Sequence, residues 1–426
     1  MRRGYVNRCA AASLATALAL AAAAAAPAAN AQALPPDTVT LSTVNPLSSV
    51  VTGQPSYTGS SVIDAASVPF ASLSMLSEVP VLAVPSVMLA ILGRGIFGSS
   101  LYQGIGSSGQ TLSSGIVDTT PTHPDLSAPP AEFVDLTHLE GNVYELTVFS
   151  PSMQREVANE ILLPGGPENT EPRPTLYLMM GADGASGGIT WRTATDYEGF
   201  FADKLVNVVT PKGSVSSMQA DWYDEDPATG INRWSTYMTR ELPALVDAMF
   251  HGTGRDAIAG VSMSGGPALS IASYAPERYV AAGSFSGCPA TTGAIGGAWT
   301  SSAVTMNGGN PVKMWGLPGN PAWVEHSPLL NLEALRGVDL FVAASMGVPG
   351  PIDGGSPLSS RVQRLGFPMV LEGASYACSA HFVNEARNAG LNVDWYEVPE
   401  GTHTWGLFED ELRASWRTIG PALGVE

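Results

Sequence analysis

"DAIAGVSMSGGPALSIASYAPERY", residues 256–279, sets a strand-like apolar run directly before a serine flanked by small residues, and a helix-like stretch directly after it. Ser262 lies between Gly260 and Ser264, with Gly265 and Gly266 following. A buried strand needs no serine at its end, and glycine weakens the first turn of a helix, so propensity does not explain the arrangement. A sharp strand-to-helix turn does. Small neighbours let the backbone fold back and leave the serine Oγ exposed, the logic of the nucleophile elbow G-x-S-x-G. The fifth position here is Ser264, still a small side chain. G-x-S-x-small is a weak pattern alone; the strand before it and the helix after it give it weight.

Outward from this turn the chain alternates strand-like and helix-like segments. "GNVYELTVFSP" and "REVANEILLP" read as an antiparallel pair, and "TLYLMMG", "LVNVVTP", "VAAGSFSG", "DLFVAASMG" and "LNVDWYEVP" as further short strands. Helical candidates lie at 233–251, 265–275 and 379–389. Strands alternating with helices predict a mostly parallel central sheet over 131–426, with helices on both faces and chemistry at the C-terminal strand ends; together with the elbow this makes the expected fold class the α/β-hydrolase fold.

The first 130 of the 426 residues differ in character. Arg2, Arg3 and Arg8 precede an alanine-rich apolar run and "PAANAQA", the pattern of a secretory signal peptide over 1–31, cut after Ala31 or Ala33. Residues 32–130 form a Ser/Gly/Pro-rich extension, including "GSSLYQGIGSSGQTLSSG" at 98–115. Within it "VPVLAVPSVMLAIL" (79–92) is apolar, but it is short and broken by Pro80 and Pro85, which favours a packed segment over a membrane span. Removing 1–31 leaves 17 basic and 38 acidic residues, a formal charge of −21, which disfavours nucleic acid and anionic surfaces. Cys288 and Cys378 remain, and in an exported chain two thiols read as one disulfide. Six scattered histidines without H-x-x-x-H or C-x-x-C spacing give no support for a metal, and no cofactor is implied.

A serine nucleophile needs a base, and in this fold the order is serine, acid, histidine. His326, His381 and His403 follow Ser262. His381 lies in a helical pattern and His326 in a loop with no strand to place it. His403, in "PEGTHTW", follows the strand-like "LNVDWYEV" near the C-terminus, where the base belongs. For the acid, pattern alone favours Asp353, after "DLFVAASMG", over Glu372.

Five ordered motifs resemble the mycolyltransferases, the antigen 85 proteins of bacteria with a mycolate outer membrane. They are "YLMMG" with Trp191 ten residues beyond Gly181, "SSMQADWY", "RWSTYMTRELPALV", "MWGLPGNPAWVEHSPLLN" and "GTHTW". The resemblance runs from about residue 130 to the end. It implies that the acid is Glu372 of "MVLEG", 31 residues before His403, rather than Asp353. It also implies oxyanion donors at the Ala182 and Met263 amides, the latter being the residue after the nucleophile.

The departures concern the sugar side. Where the family commonly reads Asp-Gly-Leu-Arg, this chain has Met180-Gly181-Ala182-Asp183, so acyl transfer is expected while trehalose recognition is expected to differ. Asp183, Trp191 and Trp405 are the candidate substrate-binding residues; Trp405 reads equally as a wall of the acceptor site or a buried structural ring. The implied partners are an acyl or mycolyl glycolipid donor and a sugar or alcohol acceptor at the cell-envelope surface. A secreted carboxylesterase using water as acceptor is the alternative, and a non-catalytic envelope or adhesion protein the third reading.

Overall fold

The computed structural model describes residues 122–354 and 366–425. The signal peptide and the apolar segment 79–92 lie outside the described residues, as does the extension up to residue 121. Nine strands form one sheet in the order β1-β2-β3-β5-β4-β6-β7-β8-β9. The expected antiparallel pair is β2 (Val143–Ser150) and β3 (Arg155–Leu162), preceded by an edge strand not foreseen, β1 (Glu132–Glu140). β1 is almost wholly exposed, and Glu132, Asp135 and Glu140 put charge along it, a usual protection for an open edge.

Beyond β3 the sheet turns parallel. β4 (Thr175–Met179) lies between β5 (Asn207–Pro211) and β6 (Asp256–Val261), and β7 (Tyr279–Phe285), β8 (Asp339–Ser345) and β9 (Val393–Val398) follow. Every residue of β4, β5 and β6 is buried, because helices cover both faces, so these strands read as continuous apolar runs. Alternate side chains feed two cores. Tyr177, Met179 and Ile258 point to one, beneath helices α1 (Leu242–Phe250), α2 (Gly265–Tyr274) and α4 (Phe367–Asn388). Leu176, Leu178, Ala257 and Ala259 point to the other, beneath α5 (Trp405–Leu423). A fully buried Leu or Ile in either core contributes about 1.5–3 kcal/mol. Helix α3 (Gly293–Thr305) lies between β7 and β8 in sequence.

Two expectations need correction. The helix expected at 379–389 begins at Phe367, so "MVLEG" is helical and Glu372 sits inside α4 rather than on a loop. Pro368 at the first turn starts it, and Gly373 is tolerated within it. The folded body also begins before residue 131: the Thr122 hydroxyl lies 2.6 Å from His326 Nε2, and Asp125 N–H donates to Thr236 Oγ1. Among the described residues no helix is long and apolar enough to cross a membrane.

Candidate active site

β4 and β6 are neighbours, and their register sets Met179 beside Gly260. The two chain segments that leave these strands therefore emerge side by side. From β6 comes Ser262, with φ +57°, a left-handed conformation unusual for a residue with a Cβ. The surrounding glycines make that turn possible. A Cβ on Gly260 would collide with the Ser264 carbonyl, and one on Gly265 would lie 2.8 Å from the Gly287 Cα. One on Gly266 would strike the Cys288 carbonyl, so helix α2 can lie against the 286–288 segment only with glycine at its start. Ser264 does more than stay small: it is fully buried, its hydroxyl donates to the Met180 carbonyl, and it accepts from Gln219 Nε2 at 3.1 Å. It ties the elbow to the end of β4.

Ser262 Oγ lies 2.8 Å from His403 Nε2, and His403 Nδ1 lies 2.7 Å from Glu372 Oε2. Facing a carboxylate, Nδ1 carries the imidazole proton, which leaves Nε2 free to accept from the serine. The Glu372 side chain is fully buried, and its other oxygen accepts from Ser345 N–H at 2.9 Å and the Ser286 hydroxyl at 3.0 Å. These bonds fix the carboxylate, while Phe408 and Trp299 pack edge-on around the imidazole. Ser262 itself is half-buried, reachable from solvent.

The rival residues have other positions. His381 is exposed on α4. His326 is buried, bonded to Thr122 and Tyr274 and stacked 4.4 Å over Trp315; burial, with His123 nearby, pushes its pKa down to about 3. Asp353 holds the histidine loop. Its Oδ1 accepts from Thr402 N–H and Oγ1, both at 2.8 Å, and from Thr404 Oγ1 at 3.0 Å, while Oδ2 accepts from Gly350 N–H. Burial alone would raise its pKa, but these hydrogen bonds hold it below the ordinary value.

On the β4 side, a Cβ at Gly181 would lie 3.5 Å from Ser262 Cβ, so Gly181 borders the serine and Ala182 follows it in the same loop. The Ala182 carbonyl accepts from Ser216 N–H at 2.9 Å and Asn307 Nδ2 at 3.0 Å, which anchors this loop. Met263 is the second residue of the turn Ser262–Ser264, where amides lack helical acceptors, and its side chain packs among Trp315 and Trp323. Asp183 is half-buried, and its carboxylate accepts from Ala185 N–H at 3.4 Å within the same loop.

Trp191 departs from its expected role as a substrate contact. It has no exposed surface, its Nε1 points to the Met179 carbonyl, and its ring packs on Phe285 and Trp405. It supports Trp405, which is half-buried beside His403 and keeps a surface to offer. Cys288 and Cys378 form a disulfide, Cα atoms 5.1 Å apart, which ties the segment after β7 to helix α4 rather than to a loop. Ser286, Ser345 and Glu411 are site residues the sequence did not single out; single buried serines carry no pattern. Among the described residues no group of His, Cys, Asp or Glu could hold a metal ion.

A family model described as a putative esterase matches residues 150–419. The diacylglycerol acyltransferase/mycolyltransferase Ag85A of Mycobacterium tuberculosis is 30% identical over 337 residues, covering 75% of this chain and 91% of that protein. Ag85B of Mycolicibacterium smegmatis, which bears the same description, is 30% identical over 295 residues, covering 66% and 85%. Among solved structures, Mycobacterium tuberculosis MPT51 (FbpC1) superposes with a TM-score of 0.54 at 25% identity, covering 67% of this chain and 99% of that one.

Proposed function

The chain belongs to the mycolyltransferase family of esterases, and we propose on that premise that it is a secreted serine acyltransferase. It moves a long acyl group, mycolyl in the family's case, from a glycolipid donor to a sugar or alcohol acceptor at the cell envelope. The observation that carries this reading is the continuous hydrogen-bond chain Ser262 Oγ–His403 Nε2 and His403 Nδ1–Glu372 Oε2, at 2.8 and 2.7 Å.

In this mechanism Ser262 passes its proton to Nε2 as Oγ attacks the donor's ester carbonyl. The oxyanion is met by the Ala182 and Met263 amides, each donor worth about 10²–10³ in rate. Collapse expels the donor's alcohol, which takes the proton back from Nε2 and leaves an acyl-Ser262. An acceptor alcohol then gives its proton to Nε2 and takes the acyl group, and the serine is restored. Glu372 orients the imidazole and stabilises its cation. The catalytic domain comprises 131–426 together with the segment from Thr122 that bonds to it, and the leader pattern of 1–31 supports export.

Acceptor choice is where this chain departs. Asp183, an acceptor-only carboxylate, stands where the family commonly carries an arginine fork that can donate to sugar hydroxyls. With water as acceptor the same steps give an esterase, the activity the family description names. The test is incubation of wild type and Ser262→Ala with a long-chain trehalose monoester plus trehalose, glycerol or arabinose, with mass spectrometry of all products. Transfer products that vanish in Ser262→Ala, with trehalose not the preferred acceptor, are expected. Free acid alone makes the chain an esterase, and turnover by Ser262→Ala overturns the nucleophile.

A further inference from the structure

Behind Glu372 lies a second fully buried carboxyl group, Glu411 of α5, and the Ser286 hydroxyl stands between them. Ser286 Oγ is 3.0 Å from Glu372 Oε1 and 3.0 and 3.1 Å from the two Glu411 oxygens. One hydroxyl has one hydrogen. It can donate to one carboxylate only, so if both were ionised only one would have the Ser286 hydroxyl as donor.

The partners decide which is ionised. Glu372 has the His403 ring N–H, the Ser345 amide and Ser286; among the described residues the Glu411 side chain has hydrogen bonds only to Ser286. The groups facing Glu411 are Glu372 from α4, Asp410 from its own helix, and Tyr396 from β9, whose hydroxyl donates to Asp410. Among the described residues no cation forms an ion pair with it. Burial, then the Glu372 charge, push the Glu411 pKa well above the carboxylate range.

We propose that Glu411 is a positioning residue for the Ser262–His403–Glu372 chain: held as the neutral acid, it donates its O–H to Ser286 Oγ, which in turn aims its own hydrogen at Glu372 Oε1. The inference rests on the acyl-transfer reading of that chain. With both hydrogens so assigned every donor has one acceptor, the negative charge stays on Glu372, and Oε2 stays on Nδ1. Glu411 neither gains nor loses a proton during turnover. It acts through Ser286 and does not touch substrate.

The test measures hydrolysis of a short p-nitrophenyl ester by the full chain, from acid to alkaline pH, in wild type, Glu411→Gln, Glu411→Ala, Glu372→Gln and Ser262→Ala. The Gln variant keeps an N–H to donate to Ser286 and is expected to hold kcat within about threefold of wild type at neutral pH. The Ala variant is expected to lose roughly 10- to 100-fold in kcat, the scale of one buried group left unpaired, with KM little changed. At alkaline pH wild type falls as Glu411 ionises and draws the Ser286 hydrogen away, whereas Glu411→Gln does not. An infrared carboxylic C=O band present in folded wild type at neutral pH and missing from Glu411→Gln reads the proton directly, even if the Ala variant fails to fold. The proposal is overturned if Gln is as impaired as Ala, if Ala matches wild type, if Gln keeps the alkaline fall, or if wild type lacks the band. Turnover by Ser262→Ala or Glu372→Gln would instead overturn the underlying reading, whatever Glu411 does.

Discussion

Replacing Asp353 by alanine separates the two carboxylates that the sequence left in competition. Asp353 is only 7% exposed and accepts four hydrogen bonds, from Gly350 N–H, Thr402 N–H, Thr402 Oγ1 and Thr404 Oγ1. Three of these come from the residues on either side of His403. At about 1 kcal/mol net for each lost bond, Asp353→Ala costs about 3–5 kcal/mol, less whatever entering water recovers. For a domain of this size that lowers Tm by roughly 5–8 °C. An imidazole displaced by an ångström loses on the order of 10² in turnover. Asp353→Asn is milder: its amide oxygen can keep the threonine donors, but its NH₂ must face Gly350 N–H, for about 1–2 kcal/mol and roughly 2–3 °C. Because the Asp353 pKa is lowered, its stabilisation is full above the ordinary carboxylate pKa and is lost only as pH falls through the lowered value, so neutral pH shows the whole difference. Differential scanning calorimetry and ester turnover, measured on both variants and on Glu372→Gln, provide the check. Glu372→Gln should lose activity with little change in Tm. If Asp353→Ala instead keeps its Tm and loses turnover as deeply as Glu372→Gln, Asp353 is the acid and the assignment of Glu372 is wrong.

The disulfide closes a 90-residue separation, so Cys288→Ser/Cys378→Ser should lose about 3–4 kcal/mol, read by chemical denaturation; two free thiols per native chain on alkylation under denaturing, non-reducing conditions would refute the bridge. His326, held neutral with its pKa pushed down to about 3, contributes stability that is full above pH about 6.5 and falls as pH drops toward 3, by up to about 1.4 kcal/mol per pH unit. His326→Gln should flatten that slope in urea titrations at stepped pH, and an unchanged slope would assign the acid sensitivity to other groups.

The central strands β4, β6 and β8 were legible because the parallel centre buries both faces, so they appear as short apolar runs, whereas their order in the sheet is set by contacts the sequence does not display. β1 was hidden for the opposite reason: "EFVDLTHLE" is exposed along almost its whole length, and its apolar residues Phe133, Val134, Leu136 and Leu139 follow no two-residue alternation. The elbow was legible from its small residues, and the purpose of each glycine became clear only from the backbone it touches.

Helix α4 shows why the acid could not be placed by pattern. Helical reading relies on an apolar stripe facing the core, but the inward residues of this helix include Glu372, Ser375 and Ser379, all fully buried. Ser375 and Ser379 both donate to the Gly287 carbonyl, at 2.8 and 3.0 Å, and so hold α4 against the segment that follows Ser286. Cys378, on the same helix, is joined to Cys288 of that segment. This polar stretch interrupts the apolar stripe between 372 and 379, and the helix expected from the sequence therefore begins only at 379. Its burial is affordable only because each polar group has a partner, and those partners lie up to 92 residues away in sequence. The acid, its supporting serines and the disulfide thus form one element of the site, a helix fastened at several points to the end of β7. A perturbation of Ser375 or Ser379 should reach His403 through Glu372 without touching any residue of the serine–histidine–glutamate chain.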